Sequence, residues 1–255
     1  VGKWAMVTGA TAGIGESFTR LLASKGFNIV LVARDLPRMQ ERASALASTY
    51  KIQTQIIQAD LSTDAGCEAV EKFIANNEIE VLINNAGFGI KKAFTSSEIE
   101  LEEDLLNVLV RTPMRLMHSI LPGMKARNCG TIINVSSVSG WIAGGTYSAS
   151  KSYLTVLSES LHTEMNGTQV KISALCPGFT RTEFHQRGRM KMSSLPNFMW
   201  LDADKLVATS WRQSQRGSVL SIPGWQYKIL TSVARFGPRP MVRKLGMNVR
   251  LRQRR

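Results

Sequence analysis

Tyr147 and Lys151 stand four positions apart in Tyr147-Ser148-Ala149-Ser150-Lys151, a spacing that on a helix sets a phenol and an ammonium one turn apart on the same face. A free phenol, with a pKa of about 10, donates a proton readily but is a poor base at neutral pH. A nearby cation favours the phenolate and lowers that value, so this pair suits general acid catalysis in carbonyl reduction and general base catalysis in alcohol oxidation. Upstream, the apolar run Ile133-Asn134-Val135 ends in Ser136-Ser137-Val138-Ser139-Gly140. A hydroxyl at such a strand end can donate to an oxygen on which charge develops. Ser136 and Ser137 point to opposite faces of an extended chain, so only one of them serves.

Hydride chemistry at a carbonyl needs a bound redox cofactor, and the N-terminal third carries residues for a dinucleotide. The run Thr8-Gly9-Ala10-Thr11-Ala12-Gly13-Ile14-Gly15 follows an apolar stretch and opens a helical pattern. Glycine permits the tight turn and lets backbone N–H groups approach a pyrophosphate at the helix N-terminus. The next apolar run ends Val32-Ala33-Arg34-Asp35. An acid at this position holds an adenosine ribose hydroxyl, whereas an arginine accommodates a 2′-phosphate, so Asp35 argues for NAD and Arg34, reinforced by Arg38, for NADP. Asp60-Leu61 and Asn84-Asn85-Ala86-Gly87 close two further runs at the carboxyl ends of strands, where ligands bind in parallel sheets; the asparagines could equally be turn formers.

The elements that must position these groups alternate along the chain. Strand patterns fall at Trp4–Thr8, Asn28–Ala33, Gln55–Gln58, Val81–Ile83, Thr131–Val135, Lys171–Leu175 and Ser218–Ile222, and helical patterns at 14–25, 37–48, 65–76, 98–127, 147–166 and 203–214. Continuously apolar strands separated by helices predict an α/β fold, a doubly wound parallel sheet of Rossmann type. One catalytic domain over residues 1–222 is expected, with a basic amphipathic extension over 223–255. The 255 residues, 44% hydrophobic and 20% charged, suit a globular protein with a full core. No apolar run reaches membrane-spanning length and no signal peptide is evident. Cys67, Cys129 and Cys176 have neither metal nor disulfide spacing, and His118, His162 and His185 do not cluster, so no metal is expected; a reducing cytoplasm is the expected location.

Taken together these pieces resemble the short-chain dehydrogenase/reductase family over at least residues 3–182, with second-half wording similar to its ketoacyl-reductase-like bacterial branch. The matching elements are Thr8–Gly15, Asp60, Asn84–Gly87, Ser137, the Tyr147/Lys151 pair and Pro177-Gly178-Phe179-Thr180-Arg181-Thr182. The resemblance implies an NADP(H)-dependent oxidoreductase with Ser137, Tyr147 and Lys151 as its catalytic residues, Lys151 also holding the nicotinamide ribose. It implies cofactor contacts from Gly9, Thr11, Ala12, Gly13, Ile14, Gly15, Arg34, Asp60, Leu61, Asn85, Ala86 and Gly87, together with Pro177, Gly178, Thr180 and Thr182. It further implies a homodimer or homotetramer. Two positions depart from the family pattern. Leu109 stands where a helix asparagine usually supports a proton relay, with Asn107 two positions away, and the stretch between Ser137 and Tyr147 is about three residues short. A nucleotide-binding sensor or scaffold is the alternative function these departures allow.

A substrate lid is expected over about 183–204, where Phe184, Met190, Met192, Leu195, Phe198, Met199 and Trp200 suit a hydrophobic carbonyl or alcohol, or else form core beneath a loop. Net charge is +13, and no acid follows Asp204. In the tail, Trp225, Ile229, Val233 and Phe236 recur at near-helical spacing among Lys228, Ser232 and Arg235. Such a stripe either lies on an anionic membrane surface or packs on the domain or a partner subunit. Nucleic-acid binding is not expected, because the body is near neutral and the tail lacks a reading module.

Overall fold

The computed structural model describes residues 2–183 and 196–244. Seven strands, β1 (Trp4–Thr8), β2 (Asn28–Ala33), β3 (Thr54–Gln58), β4 (Ile79–Asn84), β5 (Gly130–Val135), β6 (Val170–Leu175) and β7 (Leu220–Ser221), form one sheet in the order β3-β2-β1-β4-β5-β6-β7. Every pairing is parallel. The strand order reverses between β1 and β4, and in open α/β sheets the crevice at that reversal is the ligand site.

Helices α1 (Gly13–Ser24), α2 (Leu36–Tyr50), α3 (Asp64–Asn76), α4 (Ile99–Leu106), α5 (Thr112–Ala126), α6 (Thr146–Glu164), α7 (Ala203–Gln215) and α8 (Trp225–Phe236) surround the sheet. Alternate residues of each strand feed two separate cores. Met6, Val30, Val32, Leu82, Ile132 and Ile172 pack on one face with α3 and α5, while Ala5, Val7, Ile29, Leu31, Val81 and Ile83 pack on the other with α1, α2 and α7. Burial on both faces is why the inner strands β1, β2, β4 and β5 read as mainly apolar runs, whereas the edge strand β3 has no buried residue.

The structure corrects the sequence reading at one long element. The helical pattern expected over 98–127 is α4 and α5 joined by a π-helical segment, Asn107–Arg111. Thr112 N–H bonds to the carbonyl of Asn107, five residues back, and Pro113 lies in the first turn of α5. Proline has no N–H to give residue 109 and its ring would strike that carbonyl, so the ladder widens there.

The apolar stripe of the tail does form one helix, α8, but it does not pack inward. Tyr227, Thr231 and Ala234 are the buried residues of α8, while Trp225, Ile229, Val233 and Phe236 are exposed. A tyrosine and two small side chains let the helix backbone approach the domain closely, which a face of Trp, Ile, Val and Phe would not.

Candidate active site

The serine alternatives separate cleanly. Ser136 turns into the core, where its hydroxyl donates to Lys151 O at 2.7 Å and lies 2.7 Å from Thr155 Oγ1. Ser137 caps the 3-10 turn Val138–Trp141, accepting from Ser139 N–H at 3.1 Å, and its hydroxyl lies near enough to the phenol of Tyr147 to favour its ionisation. Lys151, 4% exposed, donates from Nζ to Val135 O at 2.6 Å and lies 5.7 Å from the Tyr147 ring centroid. The structure therefore brings Ser137, Tyr147 and Lys151 together at the carboxyl end of β5.

Electrostatics at this cluster differ from the sequence expectation. Burial pushes Tyr147 up to about 12, outweighing the lowering by the nearby Ser137 hydroxyl. Burial likewise pulls Lys151 down to about 8, opposed by the Cys176 sulfur. The ammonium thus does not depress the phenol in the folded chain: it lies over the ring and donates to a backbone carbonyl, and desolvation prevails.

The short approach to Tyr147 depends on its glycines. Gly145, the residue before α6, has φ +82°, and a Cβ on Gly144 would lie 2.4 Å from Ser148 Oγ. Only glycine occupies the first conformation without strain, and a side chain at the second place would force the Ser148 hydroxyl to move.

The cofactor end is built from the Thr8–Gly15 turn. Gly9 and Gly13 have φ +64° and +56°, and a Cβ on Gly15 would lie 2.2 Å from Gly9 O. Ala12, at the head of α1, contributes no side-chain cap, so first-turn N–H groups beside buried Thr11 and half-buried Ile14 remain for a ligand. The turn is held from behind. Asn85 Nδ2 donates to Thr8 O at 2.9 Å and Gly9 O at 3.1 Å, and Thr8 Oγ1 accepts from Asn85 N and Ala86 N. Thr8 is a positioning residue that sequence reasoning did not single out; its signal was its place one residue before the first glycine.

At the edge of this cradle, Arg34 leaves 75% of its side chain exposed, 3.7 Å from Asp60 Oδ2. Burial tends to raise the Asp60 carboxyl, but bonds from Ser62 N and Oγ, with Arg34 beside them, hold it below its ordinary value. Asp35 is engaged as the cap of α2, accepting from Arg38 N at 3.1 Å. The Arg38 guanidinium pairs with both oxygens of Glu183, so it does not stand ready for a phosphate as the sequence suggested.

Across the crevice, Thr182 faces the glycine turn, with its Cβ 2.9 Å from where a Cβ on Gly13 would stand. Thr180 Oγ1 donates to Gly178 O at 3.1 Å, and Pro177 O accepts from Val138 N–H, tying this segment to the Ser137 turn. Leu61 O accepts from Thr112 Oγ1. A Cβ on Gly87 would lie 2.7 Å from Leu109 Cδ2 and 4.0 Å from Lys151 Nζ, so the Asn85–Gly87 strip runs from the glycine turn to the lysine. Asn107 is committed elsewhere, donating to Ser62 O at 3.0 Å. These residues fit a dinucleotide: donors and glycines at one end, the phenol and ammonium at the other.

A second residue that sequence reasoning missed comes from α8. Tyr227 is fully buried, its hydroxyl accepts from Phe179 N at 2.9 Å and donates to Met199 O, and its ring fills the space where a Cβ on Gly178 would stand. The proposed lid is described only in part: Phe198, Met199 and Trp200 flank this junction, whereas Phe184, Met190, Met192 and Leu195 lie outside the described residues, as does His185. Among the described residues, no cluster of His, Cys, Asp or Glu could hold a metal, and no helix is long and apolar enough to cross a membrane.

Known proteins share this architecture. The chain is 35% identical over 190 residues to very-long-chain 3-oxoacyl-CoA reductase-A of Danio rerio, covering 72% of this chain and 60% of that protein. It is 30% identical over 248 residues to a Homo sapiens protein named inactive hydroxysteroid dehydrogenase-like protein 1, covering 93% and 73% of the two chains. Among solved structures, a short-chain dehydrogenase from Sphingobium yanoikuyae in complex with NADPH superposes with a TM-score of 0.84 at 28% identity, covering 91% of this chain and 93% of that one. The family model for short chain dehydrogenases matches residues 3–192, and by that match, the parallel sheet and the relatives, the chain belongs to the short chain dehydrogenase family of oxidoreductases.

Proposed function

We propose that the chain interconverts a bulky hydrophobic ketone and its secondary alcohol with NADP(H), Tyr147 being the acid in reduction and the base in oxidation. The observation that carries this reading is the convergence of Ser137, Tyr147 and Lys151, the ammonium 5.7 Å from the phenol ring centroid, at the sheet end that also carries the glycine turn. The nicotinamide, when bound, supplies or accepts the hydride. Ser137 orients the carbonyl oxygen by donating to it as it gains charge, and Tyr147, protonated across the physiological range, transfers its phenolic proton to that oxygen. Lys151, positively charged below about pH 8, would hold the nicotinamide ribose hydroxyls beside the phenol.

Exposed Arg34 and the commitment of Asp35 to capping α2 support NADP(H) over NAD(H). The apolar residues Phe198, Met199 and Trp200 near the crevice, with the name of the zebrafish relative, support a 3-oxoacyl or similarly large apolar substrate. The test is oxidation of NADPH and NADH over a panel of acyl, steroid-like and aromatic ketones. NADPH-preferred turnover is expected, and Arg34→Ala should raise the KM for NADPH about tenfold or more while leaving NADH unchanged, as loss of a bidentate phosphate contact would do. A preference for NADH would refute the assignment of Arg34. Nucleotide binding without turnover across the panel would favour the second reading, a nucleotide-binding scaffold, for which apolar Leu109 beside the lysine is the specific observation.

A further inference from the structure

The outer face of α8 has no role in the site. Trp225, Ile229, Val233 and Phe236 occupy an arc of about 80° on this helix, opposite Tyr227, Thr231 and Ala234, which fix the helix to the domain. The row is 69%, 57%, 42% and 81% exposed in that order, and exposed Met241 continues it. On one flank an apolar groove is lined by Met199, Gln226, Ile229, Leu230, Val233 and Met241. On the other flank lie exposed Lys228 and Arg235, and beyond the helix exposed Arg239, Arg243 and Lys244. None of these five cations forms an ion pair among the described residues, and the sequence contains no acid after Asp204 that could supply one.

We propose that this face is a docking surface for an anionic lipid bilayer, with α8 lying in the plane of the headgroups. An aromatic and aliphatic row with unpaired cations along one edge matches an interface that is apolar below and negatively charged above. The body, with 20 Lys and Arg against 19 Asp and Glu up to residue 204, adds almost no net charge of its own. Attraction to the surface therefore comes from this end of the molecule and orients it. The inner face of α8 keeps the row in place without lipid, so docking needs no folding step. The inference does not rest on the catalytic assignment, since it uses only the exposed face of α8 and the cations beside and beyond it.

The experiment is co-sedimentation of the full chain with phosphatidylcholine vesicles with and without 30% phosphatidylserine, together with quenching of Trp225 by brominated lipid, using Trp225→Phe to isolate its signal. Binding to the anionic vesicles, weakened by salt, is expected, with Trp225 quenched. Each of Lys228→Gln and Arg235→Gln should lower the partition coefficient about fivefold. Ile229→Glu and Phe236→Glu should abolish binding while leaving ketone reduction in lipid-free buffer and the melting temperature unchanged. Equal binding to neutral and anionic vesicles, binding that survives the glutamate variants, or concentration-dependent self-association that those variants remove would each overturn the proposal, the last by making the face a contact between copies of this chain.

Discussion

Tyr147 and Lys151 titrate in opposite directions from their ordinary values, and this fixes the expected pH behaviour. The phenol, pushed up to about 12, stays protonated wherever the fold is intact, so it is always available as the acid. The ammonium, pulled down to about 8 from 10.5, is the group lost as pH rises. For ketone reduction, kcat/KM should be flat below about pH 8 and fall above it. Stability should move the other way. Between about 8 and 10.5 the unfolded chain binds more protons at Lys151 than the folded one, so this group makes the fold more stable as pH rises through that window. A falling rate with a steady or rising melting temperature over the same range would show that the limb belongs to chemistry. In Lys151→Arg, whose guanidinium stays charged, the limb should vanish from whatever activity remains. Tyr147→Phe should lower kcat by about 10²–10⁴ with NADPH affinity retained, measured by fluorescence titration of the cofactor. Unchanged turnover in that variant would remove the phenol from the mechanism.

Two elements bear on the site without supplying its reacting groups. The first is the π-helical segment Asn107–Arg111, which delivers Leu109 to Gly87 near Lys151 and leaves Asn107 bonded to Ser62 O. Leu109 is buried, so Leu109→Asn exchanges packed methyl groups for an amide with no evident partner. That exchange should cost about 1–3 kcal/mol by thermal or urea denaturation and should not raise the rate. A many-fold rise would mean that the native proton path is impaired by leucine. The second element is α8, whose Tyr227 closes over Gly178 and bonds the Phe179 N–H. Tyr227→Phe strands that N–H and should raise the KM for NADPH more than it lowers kcat, because Pro177–Thr182 lines the cofactor crevice in the proposed site. Gly178→Ala would drive a methyl into the ring and should destabilise by about 1–3 kcal/mol. The double variant Gly178→Ala with Tyr227→Ala should be less destabilised than the sum of its parts, since the clash needs both side chains. Additive losses would show that the ring does not occupy that space.

At the scale of the molecule, what was legible in the sequence was whatever had a periodic or compositional cause. Strands β1, β2 and β4 to β6 lie at mainly apolar runs, because burial on both faces favours such runs, whereas the edge strand β3, TQIIQ, has no buried residue. The glycine turn was legible because Gly9 and Gly13 need positive φ and Gly15 needs close packing. What escaped depends on contacts between distant residues. Whether Ser136 or Ser137 faces the crevice is decided by Thr155 and Lys151 on α6. Arg38 is withdrawn from the cofactor edge by Glu183, 145 positions away. Tyr227 was hidden for the same reason: hydropathy marks Trp225, Ile229, Val233 and Phe236 as the interesting row of α8, yet its mixed face of Tyr227, Thr231 and Ala234 is the one that packs. The described part of the extension, residues 223–244, is therefore packed into the domain. A chain ending at residue 222 loses Tyr227, Thr231, Ala234 and Val242 from the interior and uncovers Gly178, Phe179 N and Met199 O. In the full chain, NADPH at 100 times its Kd should add about 2.7 kcal/mol of stability. The shortened chain should melt well below the full one and show little of that increment, because the segment facing the glycine turn has lost its support. A shortened chain with an unchanged melting temperature and the full NADPH increment would show instead that α8 contributes nothing to the crevice.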